Sequence, residues 1–249
     1  MSSTSTATPG DNEKPTDFRQ PAQPLASESG GFRWPSTAWA YLHNVLDLWF
    51  ERQIRPRLRG KACLHRYADD FVIGCELRED AERVMAVLPK RMERFGLTLH
   101  PDKTRLLHFG RPRGASGKGP ATFDFLGFTH YWRRTRSGRW LMWCKTMRSR
   151  LRRAIQSAAE YCRSHRHDAV KVQHAALTRR IQGHFNYFGV NGNYKSLKLL
   201  IHAVRGLWLK WLRRRSQKTR LTWERYWKML ERFPLPAPKI KVQIWGAKP

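Results

Sequence analysis

The chain has 249 residues, 41% of them hydrophobic, enough for one or two domains with a proper core. Its 48 Lys and Arg against 19 Asp and Glu leave a formal net charge of +29, a self-repulsion tolerable only opposite a polyanion, so nucleic acid is the expected partner. No stretch approaches the ~20 apolar residues of a membrane-spanning helix and no signal peptide is visible, so the expected location is the cytoplasm, away from any membrane. Four widely separated cysteines (Cys63, Cys75, Cys144, Cys162) exclude a recognisable zinc ribbon and read as reduced, mostly buried thiols.

Residues 1–31 are rich in Ser, Thr, Pro and Gly and carry few apolar side chains, the composition of a disordered leader. From Ser36, a suitable N-cap, to Phe50 the residues Trp39, Leu42, Leu46, Trp49 and Phe50 recur at helical spacing. Asp47 falls inside that helix and is not chosen as a metal ligand. Next come two short apolar runs, Ala62-Cys-Leu64 and Phe71-Val-Ile73, on either side of Tyr67-Ala-Asp-Asp70. Apolar runs flanking a tight polar turn predict a β-hairpin with Asp69 and Asp70 at its tip. Adjacent acids repel unless a cation neutralises them, and hard oxygen ligands suit Mg²⁺. Ordinary turn chemistry would also place Asp-Asp there.

A helix is expected over Glu79 to Phe95, with Val84, Leu88 and Met92 in its apolar stripe, a kink at Pro89 and termination at Gly96. Leu97-Thr-Leu99 and Arg105 to Phe109 read as two short strands around His100-Pro-Asp102. Lys103, just past that turn, either approaches the carboxylates or a phosphate, or is solvated. Residues 110–120 form a glycine-rich basic loop without the pattern of a nucleotide P-loop. Phe123 to Trp132 and Arg139 to Cys144 predict a second hairpin turning at Arg136-Ser-Gly138. Gly127 then lies on its first strand, making room for a closely approaching backbone or for a neighbouring side chain.

Beyond Lys145 the periodicity becomes helical. Helices are expected from Met147 to about Cys162, from Asp168 to Phe188, from Tyr194 to Arg215 and from Trp223 to Phe233. Gly189-Val-Asn-Gly192 breaks the chain between the second and third. Arg148 and Arg152 project from the first, and Arg213, Arg214 and Arg215 end the third, where cations also suit the helix dipole. The class is therefore α+β: antiparallel hairpins with packed helices over 36–145 after a leader over 1–35, then an all-α region over 146–249.

The string Arg66-Tyr-Ala-Asp-Asp-Phe-Val-Ile-Gly74 resembles the active-site hairpin of reverse transcriptases. With Leu42-His-Asn-Val-Leu-Asp-Leu-Trp-Phe50 before it, Gly96-Leu-Thr-Leu-His-Pro-Asp-Lys-Thr104 and Phe125-Leu-Gly-Phe128 after it, and Ile181-Gln-Gly-His-Phe-Asn-Tyr-Phe-Gly189 further on, the chain resembles group II intron-encoded reverse transcriptases/maturases. The resemblance implies a partial palm followed by a thumb/maturase domain, and RNA-directed DNA polymerase descent with two-metal nucleotidyl transfer. It implies Asp69 and Asp70 as Mg²⁺ ligands, with Tyr67 shaping the site. Lys103 and Gly127 are implied to face substrate and primer, and the helical arginines to face intron RNA and a primer–template duplex. A further carboxylate strand and the fingers, which relatives place upstream, have no counterpart before Tyr67. That reads as an N-terminally truncated member that binds Mg²⁺ weakly and polymerises poorly, unless a partner polypeptide supplies the fingers. The alternative is a non-catalytic RNA-binding splicing helper.

Overall fold

The computed structural model describes residues 40–112, 121–216 and 221–243. Ser36 and Trp39, expected to begin the first helix, lie outside them, as do the leader and most of the basic loop. From residue 40 the chain is helical well beyond Phe50. Wide π-type turns cover His43–Leu48 and Phe50–Ile54, and a 3₁₀ turn with Pro56 covers Arg55–Arg57. Val45, Leu46, Trp49 and Phe50 point inward.

Strands β1 (Ala62–Tyr67) and β2 (Asp70–Cys75) form the expected antiparallel hairpin, with Tyr67 opposite Asp70 and Ala68-Asp69 as the loop. Period-2 alternation sorts its side chains. Ala62, Leu64, Phe71, Ile73 and Cys75 pack on a cluster made with the leading helix and with α1 (Arg78–Arg94), which adds Leu88 and Met92. Helix α1 runs through Pro89, which sits on its exposed side, while Val84, Leu88 and Met92 form the buried stripe. Asp80, in its first turn, is buried and accepts the Gly60 amide at 2.8 Å.

Two expected strands do not form. Residues 97–100 and 104–110 make no ladder. Side chains hold them instead: Leu97 and Leu99 pack on the hairpin cluster, and Phe109 lies against Phe123 and Trp132. A strand needs backbone pairing, and among the described residues neither segment joins a ladder.

The second sheet has three strands where two were expected. These are β3 (Phe123–Phe125), β4 (Phe128–Arg134) and β5 (Trp140–Thr146), in the order β3-β4-β5. Leu126 and Gly127 break the predicted first strand as a two-residue turn, both at positive φ (50° and 76°). Paired positive φ matches the twist of flanking strands, and glycine enters it without strain. Gly127 is thus a turn residue, not a strand residue.

Four helices follow close to the predicted bounds: α2 (Arg148–Ser164), α3 (Val170–Phe188), α4 (Tyr194–Arg213) and α5 (Trp223–Arg232). Their shared core includes Leu177, Phe185, Leu197, Trp208 and Tyr226. Buried Gln173 accepts the Trp208 indole N–H at 2.7 Å. The three-stranded sheet packs on this bundle through Phe128. Buried Asn193 cements the contact, accepting the Thr146 amide and donating to the Thr146 hydroxyl and the Phe188 carbonyl, each at 2.8 Å. Gly192, at φ 91°, leaves the space that the Trp143 ring occupies.

Candidate active-site hairpin

The β1–β2 tip is the most exposed acidic feature of the hairpin. Tyr67 is 68% exposed. As the Cα partner of Asp70 it shares the outer face with that carboxylate, while Asp69 occupies the loop. The tip therefore brings together the three residues singled out from the sequence, Tyr67, Asp69 and Asp70. Ala68 adopts φ 54°, a conformation costing a non-glycine residue about 1–2 kcal/mol.

An ion pair with a buried arginine holds this tip. Arg66 points to the inner face, its side chain 5% exposed, and meets Asp47, 24% exposed, across the hairpin–helix contact. Its Nε donates to one Asp47 oxygen at 2.7 Å and an Nη donates to the other at 2.6 Å, a bidentate fork. The other Nη donates to the Ala68 carbonyl at 2.8 Å, inside the loop itself. Burial pushes the Asp47 carboxyl up, but hydrogen bonds from Arg66 and His43 outweigh it, and the group stays below the usual range. Asp47 is thereby committed to Arg66. Sequence reasoning passed over Arg66, although a signal was there: counting by two from Leu64 points Arg66 inward, and an inward arginine requires an acid.

The remaining candidates sit elsewhere. Lys103 is exposed on a turn in which its amide donates to the His100 carbonyl at 3.2 Å. The chain enters that turn from Leu99, which packs on the hairpin cluster. Gly127 faces the helical bundle: a Cβ there would lie 3.4 Å from Phe188, and its carbonyl accepts the Met147 amide at 2.9 Å. Arg148, Arg152, Arg213 and Arg214 are exposed. Arg215 differs, because it is half-buried and donates to the Asp168 carbonyl, closing the α2–α3 connection.

Among the described residues, no group of three or more His, Cys, Asp or Glu is placed to hold a metal ion. Mg²⁺ is often held by one or two carboxylates with water and substrate phosphates, so Asp69 and Asp70 suit one such contact. They do not by themselves make a two-metal centre, and Asp47 cannot join them while it serves Arg66.

Residues 35–130 match the family model described as reverse transcriptase (RNA-dependent DNA polymerase). The matched segment includes the leading helix, the hairpin, α1 and the Lys103 turn, so the likeness to reverse transcriptases covers the hairpin half of the chain. No curated protein matches the chain. No helix among the described residues is long and apolar enough to cross a membrane.

Proposed function

We propose that the chain is of the group II intron-encoded reverse transcriptase/maturase type, holding intron RNA and primer–template duplex. The observation that carries this reading is the Asp69-Asp70 tip, exposed and tethered, inside a segment matching the reverse transcriptase family. Asp69 is the proposed Mg²⁺ ligand with Asp70 beside it, and bound metal would neutralise phosphate charge at the tip. Tyr67 shapes the outer face, and Lys103 is the proposed substrate or primer contact, while the Gly127 turn, seated against Phe188, is proposed to act on the primer side only through the backbone. Arg148, Arg152, Arg213 and Arg214 supply phosphate contacts from the helical half, whereas Arg215 serves the fold. Such contacts give affinity with little sequence discrimination.

One observation favours a second, narrower reading. Asp47, from the leading helix, is neutralised by Arg66, which among the described residues leaves Asp69 and Asp70 as the acids at the tip for metal. DNA synthesis by this chain alone is therefore expected to be weak, with RNA binding as its main activity. Primer extension on an RNA template, with filter binding of intron RNA, tests both readings. Binding should survive Asp69→Ala and fall roughly a thousandfold between ~50 and ~200 mM salt if about six phosphates are neutralised. Vigorous, Asp69-dependent synthesis would overturn the narrower reading, and RNA binding that ignores salt would overturn both.

A further inference from the structure

Of the described tryptophans, two stand clear of the core, and both lie on α5. Trp223 is 51% exposed and Trp227 50%. Four residues apart, they lie on one side of the helix. Each meets an arginine from α4: the Arg213 guanidinium carbon lies 5.9 Å from the Trp223 ring centre, and that of Arg205 lies 5.8 Å from Trp227. Since residue number rises on α5 as it falls on α4, the pairs form a two-step strip along the seam between the helices.

The strip is rigidly mounted. Tyr226, between the two tryptophans in sequence, is fully buried, and its hydroxyl donates to the Arg205 carbonyl at 2.8 Å. Arg213 Nε donates to the Leu221 carbonyl at 2.8 Å, and the Thr222 hydroxyl caps α5 by accepting the Arg225 amide. Among the described residues neither Arg205 nor Arg213 is ion-paired. Half-exposed rings, each with an unneutralised guanidinium over it, on a chain of net charge +29, complement an anionic polymer with free aromatic faces. A duplex hides its base faces in its own stack. A single strand offers them.

We propose that Trp223 and Trp227, flanked by Arg213 and Arg205, form a stacking platform for unpaired bases of single-stranded RNA. This rests on the reading that the chain binds RNA and adds what the helical half distinguishes. Stacking tolerates any base, so the platform selects unpaired segments over paired ones without selecting sequence.

The test compares an unstructured RNA of about 12 nucleotides with a duplex RNA of equal length, by fluorescence anisotropy on the full chain. Trp227→Ala should weaken single-strand binding roughly 5- to 150-fold and leave duplex binding within about twofold. Trp227→Phe, which keeps a smaller ring and guards against a folding defect, should retain most of the single-strand affinity. Arg213→Gln should lower the salt slope on the single strand by about 0.7. Unchanged single-strand affinity in Trp227→Ala, or equal losses for both RNAs, overturns the platform while leaving RNA binding intact. If the unsubstituted chain binds neither RNA, the platform and the reading beneath it fail together.

Discussion

The hairpin half and the helical half hold their candidate functional surfaces in place by different means. Below the Asp69-Asp70 tip, the apolar cluster is modest, and a single buried fork from Arg66 to Asp47 and the Ala68 carbonyl fixes the loop. In the bundle, residues from four helices surround fully buried Trp208 and Tyr226, and the exposed arginines and tryptophans ride on that core. Electrostatic tethers are directional and fix one loop in one pose, whereas apolar packing is distributed and fixes whole helices. The hairpin half is thus vulnerable at one ion pair, and the bundle at its largest buried side chains.

The largest expected effect is in the bundle. Trp208→Ala leaves a large cavity and strips Gln173 of its indole donor, so it should cost about 3–5 kcal/mol in urea denaturation. A loss under about 1 kcal/mol would mean the core relaxes around the gap. Next is a pH effect confined to the same half. Burial, with no partner for its Nε2, pushes the His184 imidazole down to about 4. The unfolded chain then binds that proton more readily than the folded one, so stability is full above the unfolded value near 6.5 and is lost as pH falls toward 4. The loss should reach about 3 kcal/mol and disappear in His184→Phe, as read from melts across that window.

In the hairpin half, Asp47→Ala leaves Arg66 buried without its partner. It should cost about 2–3 kcal/mol, less than the ~3–5 kcal/mol of a fully enclosed pair, because Asp47 is partly wet. Hydrogen exchange should quicken at the tip and not in α3 or α4, and uniform quickening would erase the contrast between the halves. The smallest effect is a gain. Ala68→Gly relieves the positive-φ loop and should add about 0.5–1 kcal/mol, provided the tip keeps its φ near 54°.

Much of this was legible in the residues. The helices after Lys145 follow from apolar spacing, and their ends fall within a few residues of the expected positions, at Ser164, Phe188, Arg213 and Arg232. The hairpin at Tyr67-Asp70 was equally plain, since two apolar runs around a four-residue polar turn have few other solutions. The strands expected at 97–99 and 105–109 failed because a strand is a pairing, and local pattern cannot say whether a partner lies alongside. The turn at Leu126-Gly127 was missed because leucine at positive φ carries no local signal.

From the residues alone came the class of fold, the helical periods, the acidic tip and the basic charge, because these depend on neighbours within a few positions. Which acid and which arginine are spent on the fold were settled only by contacts between distant segments. Asp47 and Arg66 lie 19 residues apart, and Asp168 and Arg215 lie 47 apart. A charged group's role follows from what it meets in space, and only tertiary packing brings those partners together.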